Sequence, residues 1–223
     1  MTRSATTTTG LQAALLAVTP LLLLAPLVWH PYIPGRLPNN AAVADAVAAD
    51  TTRWGLVHLA SGVAFGFVVL AFIAVRGYLR AAGEERWSGF GLPFIVIGST
   101  LYTMLPGMEF APLAAVESGS DAEAIQTSLV SWFVPTLTIG GILFLVGTFG
   151  FVVGIARSGV LSQGLTSLVI GGLLTMAVSR LIPLTPIQFY VQGLAALVAL
   201  WPLAYQMWRQ PRPVGQPRPL PTT

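Results

Sequence analysis

The chain has 223 residues, of which 54% are hydrophobic and only 9% charged, and its formal net charge is +3. Soluble domains carry roughly 25% charged residues, so the composition excludes that class and points to the membrane. Lysine and cysteine are both missing, which excludes a Schiff-base chromophore, lysine and cysteine nucleophiles, disulfides, thiolate metal sites and iron–sulfur clusters.

A bilayer core of roughly 30 Å takes about 20 apolar residues per helix. Six runs approach or exceed that length. They predict an all-α, polytopic membrane helix bundle forming a single domain over residues 1–208. The first span, about 11–29, follows Arg3 and contains Pro20 and Pro26. No small-x-small cleavage pattern follows Val28, so it reads as a retained helix rather than a secretory signal.

Residues 30–54 form the longest polar segment. Asn39 and Asn40 can cap a short helix with Val43 and Val47 on one face. That helix is expected to lie on the membrane surface. The second span, about 55–75, carries His58, the one readily ionised side chain inside any span. Ser61, Gly62 and Gly66 share its face and are expected to pack closely on a neighbour. Trp54 marks the headgroup level, which puts His58 one turn below it.

The third span, about 90–108, ends in Pro106-Gly107-Met108 before Glu109. In the following outer loop, Ser120-Asp121-Ala122-Glu123 has the form of a capping box. The fourth helix therefore starts in the aqueous phase ahead of its span at about 129–156. Gly140, Gly147 and Gly154, with Gly150 beside them, make a smooth stripe for a tightly packed neighbour. Pro135, followed by Gly140 and Gly141, predicts a kink. The fifth span, about 159–179, runs to Arg180, and the sixth covers about 187–208. Residues 209–223 hold five prolines and three arginines and read as a disordered cytoplasmic tail.

Arginine sets the orientation. Arg3, Arg76, Arg80, Arg86, Arg157, Arg209, Arg212 and Arg218 fall on one side, and Arg36, Arg53 and Arg180 on the other. The positive-inside rule then gives both termini in the cytoplasm of a cell-membrane protein. These arginines sit in short loops and tails beside apolar runs, so nucleic acid is not an expected partner. Trp54-x-x-x-His58-x-x-x-Gly62 has a counterpart in Trp132-x-x-x-Thr136-x-x-x-Gly140, which suggests two related hairpins.

The topology gathers His30, His58, Glu109 and Arg180 at the outer surface. The most economical reading is a structural Glu109–Arg180 ion pair. The sharper one is an outer-leaflet pocket for an amphiphilic or lipid-like ligand. Arg180 holds an anionic head group there, and His58 and Glu109 are the candidates for proton transfer. Tyr32, Tyr102 and Trp132 line the rim, and His30 stands close by.

Three alternatives use the same residues. One is an accessory subunit that docks a membrane-protein partner or a second copy by its glycine stripe. Another is a redox protein with a b-haem on His30 and His58. The third is a transporter of a neutral solute past Ser61, Ser99, Thr100, Thr103, Thr138, Thr148 and Ser167. No metal site is expected, because two histidines and Glu109 would have to converge from three helices. No catalytic motif appears.

Overall fold

A computed structural model describes residues 2–209, with side chains from Gly10 onward. The described residues are all-helical. The helices are α1 (Thr2–Trp29), α2 (Asn40–Ala49), α3 (Thr51–Ala81), α4 (Arg86–Met108), α5 (Phe110–Glu117), α6 (Ala122–Ser158), α7 (Gln163–Ser179) and α8 (Gln192–Arg209). A π-helical turn, Pro186–Val191, leads into α8. Five helical segments are long and apolar enough to cross a membrane: Gly10–Trp29, Thr51–Ala81, Arg86–Glu117, Ala122–Ser158 and Pro186–Arg209. The apolar α7, where the fifth span was expected, has 17 residues. The proposed tail beyond Arg209 lies outside the described residues.

The long helices form a closed ring in chain order. α1 packs on α3, α3 on α4, α4 on α6, α6 on α7 and α7 on α8, and α8 returns to α1. Short connections make successive ring helices antiparallel. α1, α4 and α7 therefore end at the same pole at which α3, α6 and α8 begin. That pole carries α2 and α5 as a cover, while Arg76, Arg80, Arg86, Arg157 and Arg209 lie towards the other.

The most extensive interface, α4 on α6, is built by glycine from both sides. A Cβ placed at Gly147 would come within 2.8 Å of the Gly91 carbonyl oxygen and 2.7 Å of the Ile95 nitrogen. One at Gly150 would lie 2.7 Å from the Trp87 carbonyl, and one at Gly98 would meet the Phe144 nitrogen at 2.6 Å. Apolar side chains gain little by leaving lipid, so close backbone approach is what holds such a pair together. The stripe read in α6 thus has its neighbour inside the same chain. Gly62 and Gly66 behave differently from expectation. A Cβ at Gly62 would come no nearer than 3.9 Å to Thr103, and one at Gly66 would meet nothing.

Several boundaries move outward. α6 starts at Ala122 with Asp121 as its N-cap, the side chain accepting from the Ala124 N–H at 2.9 Å, so the cap is one residue later than the Ser120 pattern suggests. α6 runs through Pro135 as one helix. The segment after Glu109, expected as an outer loop, folds as α5. Asn39 caps α2, accepting from the Ala42 N–H at 3.4 Å. The apolar face of α2 is not laid on lipid: Val43 and Val47 are buried in a cluster with Ile33 and Trp54, packed by Leu113 and Val116. The two hairpin motifs also diverge. Trp54 is 1% exposed and Trp132 is 70% exposed, so the matching residues occupy opposite environments and support no shared role.

Candidate functional site

Most of the buried polar residues lie at the covered pole, while Glu84 and Ser88 are buried at the other. A partly enclosed cavity of about 100 Å³ opens there between α1, α3, α4, α6 and the start of α8. Space of that size takes several waters or one small polar group. Its polar wall comes from His30, His58, Ser61, Glu109, Gln126, Gln188 and Gln192, and its aromatic wall includes Trp54, Phe65, Tyr102 and Phe133. Deeper in the ring, Phe72 meets Phe144 and Phe151 edge to face and fills the middle of the bundle.

Several wall residues bridge one element to the next. The Trp54 indole N–H donates to the Glu109 carbonyl at 3.0 Å, which ties α3 to the end of α4. The Trp54 ring is buried in the wall. The Glu109 carboxylate accepts from Gln126 Nε2 at 3.1 Å through Oε1, while Oε2 has no partner among the described residues. Gln126 Oε1 and both amide atoms of Gln192 are likewise buried without partners. A buried polar group left unpaired costs about 1–3 kcal/mol, and all of these atoms belong to side chains that line the cavity.

His30 and His58 meet directly. Their Nε2 atoms are 3.3 Å apart, with the rings edge to face and 4.9 Å between centroids. Each Nδ1 lies 2.7 Å from a backbone carbonyl, Pro31 for His30 and Trp54 for His58. Burial pushes the His30 imidazole down to about 4, which favours the uncharged ring. A haem would need its macrocycle between the two nitrogens. Nitrogens in contact at 3.3 Å leave no room for it, so the pair as arranged does not fit that group. Arg53 does not reach towards the site either; its guanidinium donates to the Trp29 carbonyl at 2.7 and 2.9 Å and closes the end of α1. Among the described residues no three His, Asp or Glu side chains converge on one point.

The expected Glu109–Arg180 ion pair is not formed. The one salt bridge among the described residues is Arg80–Glu85 at the far pole. Arg180 is fully buried with its guanidinium 3.6 Å from the Phe144 ring centroid, 4.6 Å from that of Tyr102 and 5.3 Å from that of Phe65. It sits behind Phe65 and Tyr102 rather than in the cavity wall, and none of its side-chain nitrogens has a hydrogen-bond partner. Its carbonyl, at the open end of α7, accepts from the Tyr102 hydroxyl at 2.8 Å and from Gln188 Nε2 at 3.0 Å.

Of the residues singled out from sequence, then, the structure brings His30, His58, Glu109 and Tyr102 to one cavity, with Arg180 one ring behind it. Trp132 and Tyr32 are exposed and take no part in the wall. Gln126, Gln188 and Gln192 are the residues that a search for ionisable groups passes over. Their one signal is an uncharged amide inside or beside a long apolar run. No protein-family model matches the chain, and no curated protein or solved structure matches it.

Proposed function

We propose that this is a multi-pass membrane protein whose cavity holds the polar end of an amphiphilic small molecule at the outer side of the bilayer. The observation that carries the reading is the cavity itself: about 100 Å³ of space whose wall combines aromatic rings with unpaired polar atoms on Glu109, Gln126 and Gln192. Polar groups retained at that cost within a membrane-class chain are a site by default. The space is too small for a whole lipid. Only a head group enters, and the half-buried Leu37, Phe133, Leu137 and Phe189 mark the side where an apolar tail leaves.

In this reading α7 crosses with the other five, giving six spans with both termini in the cytoplasm. Seventeen helical residues rise about 25 Å, and α7 is packed between α6 and α8. The arginines of the far pole then face the cytoplasm. Cysteine labelling tests this directly, because the chain contains none. With a membrane-impermeant maleimide on intact cells, Ser118→Cys is expected to label and Glu85→Cys to label only after permeabilisation. The reverse pattern removes the outward-facing site.

A binding site is favoured over a transport path by what lies beneath it. Phe72, Phe144 and Phe151 close the middle of the ring. Thr100, Thr103 and Ser167 turn their hydroxyls onto carbonyls of their own helices at 2.9, 2.8 and 3.2 Å, so they form no polar channel. The glycine stripe, used between α4 and α6, no longer argues for a docked subunit.

Native mass spectrometry of the protein released from nanodiscs tests occupancy. The wild type is expected to carry one bound lipid or other amphiphile. Ser61→Phe, which fills the cavity from α3, is expected to lose more than about nine-tenths of it, the tenfold that 1.4 kcal/mol represents. A wild type with no bound small molecule, or a folded Ser61→Phe protein with undiminished occupancy, overturns the proposal.

A further inference from the structure

We propose that His30 and His58 together chelate one divalent transition-metal ion of the zinc class through their Nε2 atoms, with the remaining coordination positions open to the cavity. The inference starts from tautomers. A carbonyl oxygen only accepts, so an Nδ1 lying 2.7 Å from Pro31 O in His30, and from Trp54 O in His58, must carry its hydrogen in both rings. In neutral rings that leaves the lone pair on Nε2 in each. The two Nε2 atoms therefore present lone pairs to one another at 3.3 Å, both buried, and no other described group bonds to either.

Two lone pairs in contact repel, and only a proton or a Lewis acid shared between them relieves the contact. Two nitrogens each about 2.0–2.1 Å from a tetrahedral ion stand about 3.3–3.4 Å apart, and the observed 3.3 Å matches that span.

The surroundings agree. Histidine ligands almost always donate their other N–H to a carbonyl or carboxylate, which fixes the tautomer and makes the ligating nitrogen more basic. Both rings have that support from backbone, and His58 takes it from its own helix four residues back. His30 is pinned by a loop that is itself tied down: the Thr185 hydroxyl donates to Ile33 O at 2.7 Å and Leu37 N–H donates to Pro183 O at 2.9 Å.

The chain supplies two ligands, because no third His, Asp or Glu joins them among the described residues. Water, or an oxygen of the head group, supplies the others. An ion so placed prefers anionic oxygen donors such as carboxylate or phosphate, which names the ligand class. That last step rests on the proposed amphiphile site, whereas the two-histidine chelate does not.

The test uses untagged, delipidated full-length protein in detergent, stripped with a chelator and titrated with Zn²⁺ and with Co²⁺ alone. One equivalent per chain is expected, and Co²⁺ should give the intense visible bands of a four-coordinate site. His30→Gln and His58→Gln should each weaken binding by more than about 100-fold, beyond the 10–100-fold that outer-shell partners control. Should a variant fail to fold, X-ray absorption on the zinc-loaded wild type decides, with imidazole scattering at the zinc edge as the expected result.

No stoichiometric binding, binding unchanged in folded His58→Gln, or a zinc edge without imidazole scattering overturns the chelate. Native mass spectrometry of the metal-free protein reads the amphiphile site separately. The two proposals can therefore fail independently.

Discussion

Gly147→Leu is expected to prevent the protein from folding to a monodisperse state, with a loss of stability above about 3 kcal/mol, beyond the usual overpacking range. The reason is what the new side chain meets. Its Cβ alone would sit 2.7 Å from the Ile95 nitrogen and 2.8 Å from the Gly91 carbonyl oxygen, both backbone atoms of α4. Backbone in a helix cannot step aside as a flexible side chain can. The whole α4–α6 pair must separate, and with it the contacts at Gly98, Gly140 and Gly150. In lipid no hydrophobic force returns the helices once close packing is lost.

Gly171→Leu is the control. Gly171 is exposed, and a Cβ there meets nothing within 4 Å; in a helix interior this change is expected to be neutral or slightly stabilising, by under about 1 kcal/mol. Thermal unfolding with size-exclusion chromatography in detergent reads both. A Gly147→Leu protein as stable as the wild type, with only a co-purifying partner lost, would return the stripe to the role of a docking surface.

Arg180→Met is expected to leave the protein folded and as stable as the wild type, or more stable by up to about 4 kcal/mol, the range seen when buried charges give way to apolar residues of similar volume. The guanidinium is fully buried, and its three nitrogens lack hydrogen-bond partners. The opposing term is attraction to the rings of Phe144, Tyr102 and Phe65. A desolvated cation–π contact contributes about 2 kcal/mol or more. All three rings lie within the roughly 6 Å over which such contacts act, Phe144 nearest at 3.6 Å. Desolvation of the ion still costs several kcal/mol in a protein interior, and the balance falls against the charge.

Arg180→Ala should differ sharply from Arg180→Met. It empties the space between three rings, and truncation of a buried side chain to alanine costs about 2–5 kcal/mol. The gap between the two variants in thermal unfolding is the measurement. A Met variant several kcal/mol less stable than the wild type would mean that attraction to the three rings outweighs the desolvation cost, and would overturn the expectation.

What could be read in the chain before any tertiary information follows one rule: it was local. Apolar length located the helical segments, because the match between about 20 residues and the bilayer core depends on nothing distant. The Asn39 cap and the shared face of Val43 and Val47 were visible for the same reason, though not what that face packs on, as was the glycine stripe of α6. The collection of His30, His58, Glu109 and Arg180 at one pole followed from the alternating direction of successive helices, which fixes height along the bundle axis.

Rotation about that axis was not legible. It decides that Trp54 is buried while Trp132 is exposed, that Glu109 turns to Gln126 and not to Arg180, and that the two histidines touch. A soluble helix advertises its inward face through the contrast between apolar and polar sides. A helix in hydrocarbon has none, because lipid is as apolar as the interior. The sequence by itself therefore determined roughly where along the bundle axis each group lies. Only the tertiary structure, through backbone contact at glycines and pairing of the few polar atoms, decided which groups meet.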